Sequence, residues 1–276
     1  MDNLFIRTHH DLKITLIKHY VIIRSAWRTL CLLQYVILTL LIIPLIFNPL
    51  AKKLPALRTI ASFLYRRCYH ALNIKLVLKG QPVQQPALWI CNHISWIDIL
   101  LLAGNHTVDF IAKTEVGHWP FIGSIIKRTG TLLIDRGNKF QAYRSLPLLQ
   151  HRIKTGIPVV VFPEGTTSEG KSTLPFKPMF YQAAIREKLL IQPISLHYLN
   201  SQGEITDSVA FIDDDDFGTS LKRILKQPQI TAVMHFLPPI SAMEYDRKEL
   251  AKLNQNDIEQ QISQYQFHRP NQTQNT

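Results

Sequence analysis

From residue 73 onward, short apolar runs alternate with amphipathic segments. Several runs rich in Val, Ile and Leu end at a charge, Gly, Pro or Asn, which is typical of buried strands. They read NIKLVLKG, ALWICN, VDFIAK, TLLIDR, IPVVVFPEG, LIQPISLHY and TAVMHFLP. Apolar spacing predicts helices between most of them, at 95–103, 120–128, 139–154 (with a break at Pro147) and 178–188, and a last helix at 244–265. The pattern predicts an α/β fold, a mostly parallel or mixed sheet of about seven strands flanked by helices.

The first 72 residues follow a different pattern. Apolar side chains recur at helical spacing between Leu12 and Trp27 with Lys and Arg among them. This favours an amphipathic helix on an anionic membrane surface over an ordinary domain helix. Residues 30–47, LCLLQYVILTLLIIPLIF, carry no charge, and such a helix rises about 27 Å, just short of a hydrocarbon core. Because Pro44 would kink it, the segment either barely spans the bilayer or enters one leaflet and returns.

These patterns predict three regions. Residues 1–72 form membrane-anchoring helices, residues 73–265 form the α/β domain, and residues 266–276 form a polar, disordered tail. The apolar run starts too late and is too long for a signal peptide.

Composition and charge narrow the classes of partner. The chain has 276 residues, of which 46% are hydrophobic, so it is not a disordered protein. Its net charge of +11 favours anionic partners such as acidic lipids, phosphorylated molecules or nucleic acid. No basic run is interleaved with aromatics, so we predict no nucleic-acid partner. The three cysteines are widely spaced, which predicts small buried hydrophobes in a reducing compartment and neither disulfides nor a metal site.

The stretch NHISWID, residues 92–98, places a histidine and an aspartate where a predicted strand gives way to a helix. There His93 can accept a proton from a hydroxyl if Asp98 holds its other ring nitrogen. No G-x-S-x-G elbow provides a protein nucleophile, which suits direct attack by a substrate hydroxyl. An alternative remains open: Ser95 and Asp98 also read as a capping box, with His93 an ordinary junction residue.

A second stretch, FPEGTTS, carries a buried strand into a turn. Gly165 allows close backbone approach, and Thr166 adds a hydroxyl, so the turn can cradle a phosphate or an alcohol. Glu164 is placed to accept a hydrogen bond from a substrate hydroxyl or to position a basic residue. Taken alone, the stretch also fits an ordinary strand-to-loop transition.

Two basic residues end strands near these motifs. Arg136 closes GTLLIDR and suits a two-pronged contact with phosphate, unless it pairs with Asp135. Lys113, after DFIA, is a weaker candidate for the same pocket. The acidic run at 213–216 is interpreted as a solvated loop, and no metal site is predicted.

Together these stretches resemble the glycerolipid acyltransferases, in particular the 1-acylglycerol-3-phosphate acyltransferases. NHISWID matches the family's NHxxxxD block, GTLLIDR its second block and FPEGTTS its third, and LLIQPISL, with Pro193, matches its fourth. Residues 112–123 also look like the family's segment between the first two blocks. The blocks occur in family order, and the resemblance covers about residues 73–240.

The resemblance implies transfer of a fatty acyl chain from acyl-CoA or acyl-carrier protein to the free hydroxyl of 1-acylglycerol-3-phosphate, which forms phosphatidic acid. It implies a general base, His93, and an orienting residue, Asp98. Residues implied to bind substrate are Arg136, Glu164, Gly165 and Thr166 for the acceptor, Lys113 beside them, and Pro193 for a pocket often tied to the donor. It implies no metal or bound organic cofactor. The implied location is the inner or cytoplasmic membrane, with the catalytic domain on the cytoplasmic side.

Other functions remain open at this point. The Ser95–Trp96 variant of the first block also occurs in lyso-ornithine lipid acyltransferases, so that lipid is an alternative acceptor. A thioesterase or lipase would use water as the acceptor on the same scaffold. A non-catalytic lipid-binding protein would have no need of the His–Asp pair. The partners predicted are a membrane lipid and the acyl donor, and no oligomeric state is predicted.

Overall fold

The computed structural model describes residues 2–46, 55–114, 117, 131–134, 146–212 and 214–267. The described helices are α1 (Asp2–Ile46), α2 (Pro55–Ala71), α3 (Ile97–Asn105), α4 (Leu146–Lys154), α5 (Tyr181–Arg186), α6 (Phe217–Lys226) and α7 (Arg247–Phe267). The described strands are β1 (Ile74–Lys79), β2 (Ala87–Cys91), β3 (Asp109–Lys113), β4 (Leu132–Ile134), β5 (Val159–Val161), β6 (Leu190–Leu199), β7 (Ile230–Phe236) and β8 (Ile240–Ser241).

The strands form one mixed sheet in the order β1-β7-β6-β2-β5-β3-β4, with β8 beside β6. Neighbours run parallel except that β6 is antiparallel to β7 and β8. β2 lies between β5 and β6, and all five of its residues are buried. Since Ile90 lies opposite Val161, the segments that follow β2 and β5 leave the sheet side by side. The predicted α/β fold with a mixed sheet flanked by helices is confirmed.

Helices cover both faces of the sheet. Successive strand residues point to opposite faces, so Leu88 and Trp89 of β2 belong to different cores. The core around Trp89 includes buried residues of α2, α3 and α6, and the core around Leu88 includes those of α4, α5 and α7. Burial on both faces explains why the strand segments read as nearly continuous apolar runs.

The seven predicted strands are all present, and the short β8 was not predicted. The predicted helices at 95–103, 178–188 and 244–265 correspond to α3, α5 and α7. The described part of 139–154 is helix α4, with Pro147 in its first turn, where the missing N–H breaks no helical bond. The predicted helix at 120–128 lies outside the described residues. Helix α6 was not predicted, and the acidic run supplies its N-cap, since the Asp216 side chain accepts from Thr219 N.

Helix α1 is continuous from Asp2 to Ile46, whereas the sequence predicted an amphipathic helix and then a segment kinked at Pro44. Two of its arginines bind the carbonyl groups at the end of α6. Arg28 donates to Gln227 O at 2.7 Å and Pro228 O at 2.9 Å, and Arg24 donates to Lys226 O at 2.9 Å. Cations are favourable at a helix C-terminus, so these bonds dock α1 on the α/β domain.

Elsewhere along its length α1 exposes large apolar side chains. Its segment His19–Leu38 is long and apolar enough to cross a membrane by length and composition, with a mean hydropathy of 1.4, and 11% of it is buried. The exposed residues are Tyr20, Ile22, Ile23, Trp27, Leu30, Leu33, Ile37, Leu38 and Leu41, and we refer to them as the apolar face of α1.

Candidate active site

The junction between β2 and α3 brings His93 and Asp98 together. The distance from His93 Nδ1 to Asp98 Oδ2 is 2.8 Å. Asp98 is fully buried, whereas the His93 side chain is 18% exposed. An ionised carboxylate only accepts hydrogen bonds, so Nδ1 carries the hydrogen and Nε2 keeps its lone pair in the neutral ring. Nε2 has no hydrogen-bond partner within the described part of the chain.

Three further donors hold the Asp98 carboxylate. Oδ2 also accepts from Ile94 N at 2.7 Å and Ser95 N at 3.0 Å, and Oδ1 accepts from the Tyr198 hydroxyl at 2.6 Å. These bonds compensate for taking the carboxylate out of water. The capping-box interpretation and the base-orienting interpretation are therefore compatible, because one carboxylate does both.

Tyr198 comes from β6, on the far side of β2 from β5. It is 1% exposed, and burial together with the nearby Asp98 charge raises the pKa of its hydroxyl well above the usual value. The hydroxyl therefore stays protonated at any working pH and remains a hydrogen-bond donor to Asp98.

The turn after β5 holds the backbone of His93 from both sides. The buried Glu164 accepts from His93 N at 2.7 Å through Oε1 and from Leu174 N at 2.8 Å through Oε2. Ser168 N donates to His93 O at 2.8 Å. Burial raises the pKa of Glu164, although the bonds from Leu174 and His93 act in the opposite direction. The predicted contact of Glu164 with the acceptor stays a prediction, and the contacts in the structure are to backbone.

Phe162 fixes the plane of the imidazole. The two rings stack with centroids 3.9 Å apart and an interplanar angle of 15°, and Phe162 is buried. The ring of His93 is therefore oriented by a hydrogen bond at its edge and an aromatic surface on its face.

Gly165, which is buried, and Thr166, which is exposed, continue the same turn. Gly165 has φ of +78°, a conformation that favours glycine. A Cβ at Gly165 would lie 2.5 Å from Lys177 Nζ, so the lysine side chain passes directly over this residue. This turn, whose Glu164 binds His93 N, thus carries the Thr166 hydroxyl and lies beneath the Lys177 ammonium.

The structure gives no contact of the remaining predicted site residues with this pair among the residues that it describes. Arg136 lies outside the described residues, and so does the side chain of Lys113 at the end of β3. Pro193 lies in β6 opposite Ile90, on the sheet face that packs in the core around Leu88. Within the described ranges, no group of three or more His, Cys, Asp or Glu side chains is placed to hold a metal ion.

Sequence reasoning gave no role to Tyr198, Phe162 or Lys177. Tyr198 carried a weak signal, because a tyrosine within a buried strand needs a partner for its hydroxyl. Phe162 and Lys177 carried none, since their contacts depend on how the chain folds back after the strand.

The mixed α/β sheet, with the NHxxxxD His–Asp pair where a central strand meets a helix, agrees with the acyltransferase resemblance found in the sequence. Residues 73–197 match the family model described as Acyltransferase. The lyso-ornithine lipid O-acyltransferase of Pseudomonas aeruginosa is 31% identical over 76% of this chain and 81% of its own length. The chain therefore belongs to the acyltransferase family.

Two further proteins are similar to the chain, one in sequence and one in fold. The 1-acyl-sn-glycerol-3-phosphate acyltransferase of Neisseria gonorrhoeae is 29% identical over 66% of this chain and 72% of its own length. The crystal structure of the 1-acyl-sn-glycerophosphate acyltransferase PlsC from Thermotoga maritima shares the fold, with a TM-score of 0.67 at 18% identity, over 91% of this chain and 98% of that one. The protein is an O-acyltransferase of the lysophosphatidic acid or lyso-ornithine lipid type.

Proposed function

We propose that the enzyme transfers a fatty acyl group from acyl-CoA or acyl-carrier protein to a lysolipid hydroxyl, with His93 as general base and Asp98 as the residue that orients it. The 2.8 Å bond between Nδ1 and Asp98 Oδ2 carries the proposal, because it leaves Nε2 as the proton acceptor. The protein needs no nucleophile of its own, since the hydroxyl of the acceptor lysolipid attacks directly.

The proposed reaction moves one proton from the lysolipid hydroxyl, through His93, to the leaving thiolate. Nε2 takes the proton of the lysolipid hydroxyl as its oxygen attacks the thioester carbonyl. The carbon–oxygen bond forms, the carbon–sulfur bond breaks, and the imidazolium returns the proton to the leaving thiolate. Asp98 stays ionised throughout and stabilises the imidazolium through Nδ1.

Two lysolipids are candidate acceptors. Lyso-ornithine lipid comes first, because the Pseudomonas aeruginosa relative is named for it and matches more of the chain than the Neisseria gonorrhoeae relative. Lysophosphatidic acid, the acceptor predicted from the sequence, comes second and is favoured by the net charge of +11. A panel of both lipids with pure enzyme and acyl-CoA, with products identified by mass spectrometry, decides between them.

The membrane association that we propose is peripheral, on one leaflet. Arg24 and Arg28 lie within the apolar segment His19–Leu38 and bind carbonyls beside α6. A spanning α1 would pull this polar part of the α/β domain into hydrocarbon, which is costly. Lying flat, the helix presents its apolar face to lipid and keeps its arginines on the protein. We place the enzyme on the cytoplasmic side of the inner membrane, where both candidate donors and reduced cysteines are found.

Replacing the base tests the mechanism directly. His93→Ala is expected to lower kcat by about 10²- to 10⁴-fold, the usual contribution of a general base, without changing the fold. The measurement is thiol release from acyl-CoA in the presence of lysolipid. His151→Ala, which removes an exposed histidine from α4, is the matched control and should retain full activity. Undiminished turnover by His93→Ala would exclude His93 as the base.

The same assay separates transfer from hydrolysis. A thioesterase releases thiol at the same rate with or without added lysolipid, whereas the proposed transferase depends on it. The acylated lipid should form in a one-to-one ratio with the thiol.

A further inference from the structure

Lys177 extends over the turn that holds His93, and nothing in the described part of the chain binds its charge. We propose that Lys177 binds the anionic group of the acceptor lysolipid and thereby contributes to acceptor specificity. This inference rests on the proposed function, since it concerns the acceptor of the same reaction.

The path of the chain brings Lys177 back to the turn. Leu174 N donates to Glu164 Oε2 at 2.8 Å, and Lys177 N donates to Pro163 O at 2.9 Å. The segment from 174 to 177 therefore runs alongside the turn and is tied to it at both ends. Because Glu164 also accepts from His93 N, the same carboxylate couples this segment to the catalytic histidine.

The side chain of Lys177 is laid across Gly165. A Cβ on Gly165 would lie 2.5 Å from Nζ and 3.3 Å from both Cδ and Cε of the lysine. The glycine thus leaves the space that the terminal part of the lysine occupies. With φ of +78°, this position also disfavours any residue with a side chain.

The ammonium of Lys177 has no carboxylate or carbonyl partner among the residues that the structure describes. Both oxygens of Glu164, the acid on the same turn, are taken by backbone N–H groups. The contrast is Lys171 on the following loop, whose Nζ binds Asp207 at 2.7 Å and Glu169 at 3.1 Å. Lys171 is therefore paired with two carboxylates, whereas the ammonium of Lys177, unpaired within the described residues, lies over Gly165.

The ligand chemistry that fits is an anionic oxygen group close to the hydroxyl that is acylated. A lysine ammonium is a compact charge with three donors, so it binds either a phosphate or a carboxylate. Lysophosphatidic acid supplies the first, and the ornithine headgroup supplies the second. The exposed hydroxyl of Thr166, next to Gly165, adds a donor to the same group.

The test compares Lys177→Met, Lys177→Arg and Lys171→Met in the full-length enzyme. For both lysolipids, each of which carries an anionic oxygen group, we expect Lys177→Met to raise the acceptor KM about 10- to 100-fold, the loss of one charge-assisted contact, with kcat within about threefold of wild type. Lys177→Arg should restore the KM to within about threefold. Lys171→Met should leave both constants unchanged. With neutral 1-monoacylglycerol as acceptor, kcat/KM of Lys177→Met should equal that of wild type.

Three results would overturn the assignment. An equal loss with the neutral acceptor would give Lys177 a structural role only. A raised KM for acyl-CoA with an unchanged acceptor KM would assign it to the phosphates of the donor. The same effect in Lys171→Met would reduce it to bulk surface charge.

A binding measurement keeps this inference separate from the proposed mechanism. In the His93→Ala background, the affinity for lysolipid in nanodiscs should fall about 10- to 100-fold when Lys177→Met is added. This holds whether or not His93 is the base, so a failure of the proposed chemistry leaves it intact. Equal binding by the single and double variants would refute the role of Lys177.

Discussion

The Tyr198 hydroxyl tests how the buried carboxylate of the site is held. Tyr198→Phe removes only an oxygen, so it leaves no large cavity and keeps the aromatic ring in its core. The structure shows a short bond, 2.6 Å from the hydroxyl to Asp98 Oδ1, between two side chains that are at most 1% exposed. No water replaces the lost donor in so closed a place.

The magnitude follows from that geometry. A hydrogen bond to a charged group contributes about 1.5–3 kcal/mol, and a buried acceptor left without a partner costs its desolvation. We therefore expect Tyr198→Phe to lower the free energy of unfolding by about 1.5–3 kcal/mol. The effect on kcat should be smaller, about tenfold at most, because His93 Nδ1, Ile94 N and Ser95 N still donate to Oδ2.

The chain offers a matched control in Tyr181→Phe. Tyr181 is also fully buried, but its hydroxyl has no partner within the described structure. Removing an unsatisfied hydroxyl costs nothing and is expected to be neutral or stabilising. Urea unfolding of both variants at one detergent concentration, followed by circular dichroism, gives the two free energies directly.

The role of the Tyr198 hydroxyl in stability is refuted if Tyr181→Phe lowers the free energy of unfolding more than Tyr198→Phe does. A Tyr198→Phe enzyme as stable as wild type, beside a destabilised Tyr181→Phe, would mean that ring packing and not the hydroxyl bond determines stability. A loss of kcat for Tyr198→Phe as large as for His93→Ala would mean that the hydroxyl takes part in the chemistry itself.

Two further predictions concern stability and docking. Burial, together with the charges of Lys79 and His235, lowers the pKa of His197 from 6.5 to about 4. Because the unfolded chain binds this proton more tightly, stability should fall as the pH drops from about 6.5 toward 4, by about 2 kcal/mol between pH 7 and pH 5. Urea unfolding at these two pH values measures the fall. In His197→Gln the loss of stability between pH 7 and pH 5 should be smaller by this amount. An equal loss in the variant would exclude His197 as the cause. Arg28→Met removes the bonds from α1 to the end of α6, so α1 should become more sensitive to limited proteolysis, whereas unchanged cleavage would show that its apolar contacts suffice for docking.

The strands could be predicted because each is a local run of apolar residues. Such runs are expected when both faces of a sheet are buried. Helix α6 was missed because the acidic run that supplies its N-cap was interpreted only as a solvated loop. The order of the strands in the sheet could not be predicted from the sequence. β1 pairs with β7, from the far end of the domain, and no local pattern encodes that partner.

In the candidate site, too, contacts within one segment could be predicted and contacts between distant segments could not. His93 and Asp98 lie within one short segment, so local spacing was enough to predict their bond. Tyr198 reaches Asp98 only because β6 pairs with β2. The contact of Glu164 with the acceptor stays a prediction, and the sequence does not reveal that the segment around Leu174 returns to bind one of its oxygens.

The pairing of β1 with β7 and the docking of α1 on α6 have a consequence for biosynthesis. On the ribosome, the first helix and first strand emerge while their protein partners are still untranslated. Until then β1 has no neighbouring strand, and the arginines of α1 lack the carbonyl groups that they bind in the folded protein. A nascent chain released before α6 is complete would lack both partners, so truncated products should be prone to aggregation and degradation.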